Sequence, residues 1–227
     1  MAFSYDLSVF STLRMTYPTW EAFQAYMESN AGGSFRVMEQ HPSGICLLRY
    51  EKGVSSMALP HASWCRSILW DKNTHLPLSI APPKACEEAI PYATLGEAIE
   101  KEAVCQEMLD GWMIHVFRRA DDPTLYLASR SHLHATGNFY SSRSFRELFL
   151  EAYMGTTGPF AEEALQADPF FQGPCVEKKQ TAVFYSFLVQ HKEHRVVRPI
   201  KTNRAVLIQK GVVYETGHVT LTDNPLS

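Results

Sequence analysis

Residues suited to β-strands gather in short runs separated by turn clusters, and no regular strand–helix–strand alternation links them. From Phe35 to Tyr50, and again from Ser63 to Ile80, β-branched, aromatic and other apolar residues are interrupted by His41-Pro42-Ser43-Gly44 and by Asp71-Lys72-Asn73. Turn-forming residues between such runs predict antiparallel hairpins, because those residues supply the tight backbone bends that a strand reversal needs. Trp112 to Phe117 and Thr124 to Ser129 read as two further strands, joined by a turn over Arg118 to Pro123. Ala182 to Gln190 and Arg204 to Tyr214 return the chain to strands in its last third.

Three segments carry helix signals instead. Thr19 precedes Trp20, Phe23 and Met27, which fall on one helical face, and Gly32-Gly33 is the expected stop. Thr94-Leu95-Gly96-Glu97 has the spacing of a capping box and leads into a helical stretch through Cys105. Ser142-Arg143-Ser144 precedes Phe145, Leu148, Phe149, Ala152 and Tyr153, the pattern of a helix buried along one side and stopped at Gly155. Strands and helices mixed in this way predict an α+β fold with mainly antiparallel sheets, not a Rossmann-type sheet. No linker divides the chain, so a single domain over residues 1–227 is expected.

The 227 residues, 45% hydrophobic and 12% aromatic, suffice for a full core without disulfide or metal staples. A formal charge of −3 argues against a protein that coats nucleic acid through bulk positive charge, so any nucleic-acid contact must be a local patch. The five cysteines are odd in number and widely spaced, and no secretory leader is visible in the first ten residues; a reducing, cytoplasmic compartment is the expectation. No apolar run approaches the roughly 18 residues that span a bilayer, so no membrane partner is expected.

Four segments, in order, carry a resemblance. They are Cys65-Arg66-Ser67-Ile68-Leu69-Trp70-Asp71; Ala81-Pro82-Pro83-Lys84; Met108-Leu109-Asp110-Gly111 with Leu127-Ala128-Ser129-Arg130-Ser131; and Phe187 to Val197. Together they resemble the ATP-dependent RNA ligase family typified by the phage T4 enzyme, and more closely the ligase-like proteins of large DNA viruses. Single matches such as Asp-Gly occur by chance; the order and spacing carry the likeness. The resemblance implies a ligase-type nucleotidyltransferase fold with a nucleotide groove between two antiparallel sheets. It implies that Arg66 reaches the nucleotide phosphates, for which a guanidinium fork is well shaped, and that Lys84 holds the polyphosphate tail. Asp110, Gly111, Ser129 and Arg130 are expected to line the same pocket, with ATP and Mg²⁺ as the ligands the family uses.

Three departures bear on activity. Ligases of this type attack the α-phosphate of ATP with the lysine of a Lys-x-Asp-Gly element, and Met108 stands at that place. A thioether has no proton to lose and forms no stable bond to phosphorus in the way an amine does, so nucleophilic catalysis there is excluded. Where active members carry a metal-holding acid, this chain has Leu188 or Ser186, and leucine offers no hard oxygen to Mg²⁺. The Glu-Gly strand and Lys-x-Lys element of active ligases are not recognisable before Ser227, which predicts either a natural short form or a fragment. The expectation is thus a catalytically inactive ligase-like protein that binds nucleotide, RNA or a protein partner. The alternatives are an active RNA ligase represented by a fragment or a Lys-to-Met form, and a structural component of a virus particle, with viral proteins as partners.

Other constellations remain. Lys192, Arg195, Arg198, Lys201 and Arg204 form a positive run, of which Arg195, Arg198 and Lys201 are the candidates for an RNA backbone; the competing reading is a solvated face. Arg195 would also brace its own turn. His132 and His134 would share a side of an extended segment, a spacing that metal sites use, although polar loop histidines without acidic or cysteine partners are the commoner case. Tyr185, Phe187, Phe139 and Tyr140 have the chemistry to stack bases, but aromatic residues in strands are usually core.

Overall fold

A computed structural model describes residues 7–84, 109–172, 179–194, 197 and 199–222. The helix expected from Thr94 to Cys105 lies outside these residues. Among those described, the two N-terminal hairpins form as the turn clusters require: β1 (Arg36–Gln40) with β2 (Ile45–Arg49), and β3 (Ile68–Asp71) with β4 (Leu76–Ile80). β2 also pairs antiparallel with β3, giving one four-stranded sheet in the order β1-β2-β3-β4. Ser63 is not the start of a strand: residues Ala62–Trp64 make a single 3₁₀ turn, and β3 begins at Ile68.

The second sheet has five strands, all antiparallel, in the order β6-β5-β7-β8-β9. They are β5 (Trp112–Arg119), β6 (Tyr126–Ser129), β7 (Gln180–Gln190), β8 (Arg204–Tyr214) and β9 (Val219–Thr222). Arg118 and Arg119, expected in a turn, belong to β5, where Arg119 pairs with buried Asp71 at 3.1 Å. Period-two alternation assigns the two faces of this sheet. His115, Phe117, Phe184 and Ser186 face the first sheet, where the Ser79 hydroxyl lies 3.2 Å from His115 Nδ1. Val116, Val183, Tyr185 and Phe187 face away, against α3 (Phe145–Met154), α4 (Pro159–Ala167) and α5 (Pro169–Gln172).

The outer face of the first sheet is closed by α1 (Ser8–Thr16) and α2 (Trp20–Glu28). Thr19 caps α2 by accepting the Ala22 amide, and Phe23 stacks on Trp70 of β3 with ring centroids 4.3 Å apart. The helix stops at Glu28 and not at the glycines, because Ser29 turns extended and its amide closes the last turn. α3 is framed as expected, by a Ser144/Glu147 capping box and by Gly155 in the left-handed conformation, which glycine adopts without steric cost. Its two following helices were not anticipated; Arg146 of α3 pairs with Glu162 of α4 and ties them together. Helices thus cover two stacked antiparallel sheets from both sides, an α+β arrangement. Among the described residues no helix is long and apolar enough to cross a membrane.

Candidate functional site

At one end of the stacked sheets the C-terminal end of β2, the approach to β3, the start of β5, the end of β6 and the end of β7 converge. They enclose a cleft of about 1010 Å³. Arg49, Arg66 and Arg130 line it, together with Asp110, Gly111 and Ser129. Five of the residues singled out in the sequence, Arg66, Asp110, Gly111, Ser129 and Arg130, therefore meet at one place, although 64 positions separate the first from the last.

Three guanidinium groups share this cleft, and among the described residues none of the three forms an ion pair with a carboxylate. The Nε atoms of Arg49 and Arg130 are buried and lack a hydrogen-bond partner. Burial, and then repulsion from Arg130, pulls the Arg49 guanidinium below its ordinary range. Arg130 lies over the Tyr50 ring, 4.9 Å from its centroid, a cation–π contact that fixes the side chain's direction. Arg49 carries no motif in the sequence. It enters the site because β2 pairs with β3, Leu48 opposite Ile68, which brings the end of β2 beside the approach to β3, a consequence of strand register that local sequence does not announce.

Asp110 and Gly111 serve the walls. The Asp110 carbonyl accepts from Gln190 Nε2 at 2.6 Å, and its Oδ2 accepts the Val197 amide at 3.0 Å, so this side chain braces the turn after β7. A Cβ on Gly111 would lie 2.6 Å from Leu188 Cδ2 and from the Val189 carbonyl oxygen, so the absent side chain permits β5 to approach β7. Ser129 is buried, and its hydroxyl accepts the His132 amide at 3.2 Å, which holds the turn that presents Arg130. The lining also includes apolar and aromatic side chains: Trp112, Phe139, Phe145, Leu188 and Val197. The buried indole nitrogen of Trp112 has no hydrogen-bond partner. The cleft accordingly combines three guanidinium groups with apolar and aromatic side chains.

Several sequence expectations are placed elsewhere. Lys84 is not among the residues lining the cleft; its amide donates to the Ser63 carbonyl. Met108, Arg195 and Arg198 lie outside the described residues. Lys201 is exposed and lines a separate hollow of about 490 Å³ with Arg204, whose Nε donates to Gln190 Oε1. His132 and His134 do not share a side of an extended segment, because His134 has φ 60 and breaks the alternation. His134 packs against His41 with ring centroids 4.9 Å apart, while His132 lines the cleft. Tyr185 and Phe187 are core residues, each 2% exposed, whereas Phe139 and Tyr140 are exposed.

Of the two residues expected in place of a metal-holding acid, Leu188 lines the cleft and Ser186 is buried between the sheets beside His115. Among the described residues no three His, Cys, Asp or Glu side chains converge on one point. No known family model and no curated protein matches this sequence.

Proposed function

We propose that this chain is a ligase-like protein of the nucleotidyltransferase type that binds the phosphates of a nucleotide such as ATP, or of RNA, in the cleft between its sheets. In this reading it carries out no lysine adenylylation. The observation that supports it is the meeting of Arg49, Arg66 and Arg130 in one cleft, with none of them ion-paired to a carboxylate among the described residues. Like charges gathered in a partly buried site repel, and polyanionic oxygens relieve that repulsion through charge-assisted hydrogen bonds. The apolar wall at Trp112 and Leu188 offers a base or sugar a surface away from water. The family's Mg²⁺ would arrive here chelated by the triphosphate, since among the described residues the lining supplies no cluster of acidic donors. On the cytoplasmic and viral expectations drawn from the sequence, the ligand would be met in a reducing host compartment.

Two measurements test this. Calorimetric titration with ATP at low salt should show binding that weakens about tenfold or more in Arg130→Ala, the range for losing a hydrogen bond to a charged group; unchanged affinity in Arg130→Ala and Arg66→Ala alike overturns the cleft assignment. Incubation with ATP labelled on the α-phosphate, followed by a denaturing gel, reads the chemistry. The natural protein should take no covalent label, and a labelled band on it would restore the enzyme reading. Label appearing only on Met108→Lys would identify the methionine as the block.

A further inference from the structure

We propose that the rim of the cleft carries a stacking subsite, formed by Phe139 and Tyr140, for an unpaired base that follows the nucleotide held inside. The preferred ligand is then a single strand of two or more nucleotides and not a mononucleotide. This rests on the nucleotide reading of the cleft and extends it to a place that the arginines do not reach.

Four observations carry the subsite. Phe139 is 56% exposed and Tyr140 70% exposed, adjacent in the chain, with ring centroids 4.1 Å apart. The two rings, tilted by 50° to each other, leave apolar faces in water that a flat, apolar partner laid on either one would cover. Phe139 also lines the cleft that Arg49, Arg66 and Arg130 line, so the pair adjoins the cationic site. That continuity selects the partner: an object with anionic groups at one end and a flat ring at the next position is a strand of nucleotides, whose phosphates and bases repeat in that order.

The platform is also held still. Next to it His194, only 3% exposed, has its ring centroid 6.2 and 5.9 Å from those of Phe139 and Tyr140 and 5.6 and 5.5 Å from those of the cleft residues Trp112 and Phe145. One aromatic cluster therefore runs from inside the cleft out to its rim. The loop is clamped to the turn after β7, where Ser141 Oγ and Arg143 Nη1 both donate to the Glu193 carboxylate, at 3.1 and 2.9 Å. Arg143 Nη2 pairs in addition with Glu151 of α3 at 2.6 Å. Tyr140 itself sits at φ 65, in the left-handed region that a side chain of this size seldom adopts, so the surrounding contacts fix its direction. A platform already ordered loses little entropy when a base lands on it.

The probes for the test are a hexa-adenylate RNA, an abasic hexamer of the same backbone charge, and inorganic tripolyphosphate, each titrated at fixed low salt. The natural protein should bind hexa-adenylate about tenfold or more tightly than the abasic strand, the scale of one stacked base. The double variant Phe139→Ala/Tyr140→Ala should cut this preference about tenfold, and Tyr140→Ala alone, at a residue that does not line the cleft, should narrow it with tripolyphosphate bound as before. Phe139→Trp should keep the preference. Equal affinity for the two strands in the natural protein overturns the subsite, as does a preference that survives the double variant undiminished. Tripolyphosphate bound but strands not bound overturns the subsite alone, whereas no binding by any of the three overturns the nucleotide reading with it.

Discussion

Gly111 illustrates how one residue sets the geometry of the cleft. Its missing side chain leaves room for Leu188 and the Val189 carbonyl, at 2.6 Å from where a Cβ would stand. Gly111→Ala should destabilise the fold by about 1–3 kcal/mol, the usual cost of overpacking, because one of the two colliding atoms is backbone and cannot turn aside. Urea denaturation checks this, and an unchanged midpoint would mean that β5 and β7 are not held this closely. Arg66, Gly111, Ser129 and Arg130 were visible in the sequence because each sits in a short motif. Arg49 and Trp112 were not, because their place in the cleft depends on which distant strands pair. Lys84 shows the reverse: a motif position that the fold does not bring to the cleft lining.

Among the elements, α3 has both of its ends written in the sequence. The Ser144 hydroxyl accepts the Glu147 amide, the Glu147 carboxylate accepts from Ser144 in return, and backbone hydrogen bonding to Ser144 holds that carboxylate below its ordinary range. Ser144→Ala should cost about 1 kcal/mol, which for a chain of this size lowers the melting temperature by roughly 2–4 °C. A thermal scan showing no change would place the cap outside the cooperative unit. The hairpins of the first sheet were equally legible, since turn residues and β-prone runs alternate within a few positions. α1 and α4 were missed for a physical reason: neither has a side-chain cap, and α4 begins on Gly158-Pro159, a pair that reads as a loop. β9 was missed because four residues are too few to show a period.

For the molecule as a whole, the junction of the two sheets makes stability depend on pH. His115 is buried there between Ser79 and Ser186, and burial, with a smaller contribution from Arg66, lowers its pKa from 6.5 to about 4. Burial also lowers His61, His75 and His194. The unfolded chain then binds more protons than the folded one between the two pKa values, so stability is complete above the unfolded value and is lost as pH falls through that window. His115 alone accounts for on the order of 3 kcal/mol between pH 7 and pH 4. The urea midpoint should fall from pH 7.5 to pH 5 and fall less in His115→Gln; a flat profile would show that the imidazole is not sealed between the sheets. That junction also bears on how the chain is made. The first sheet is assembled from consecutive hairpins, but the strands that cover its inner face, β5, β7 and β8, all come later, with His115 and Ser186 71 residues apart. During synthesis the first sheet's partner emerges from the ribosome in instalments, and until β7 is released the oily side bearing Leu47 and Leu69 stays in water. The early half of this protein is thus the part that most needs a chaperone's company.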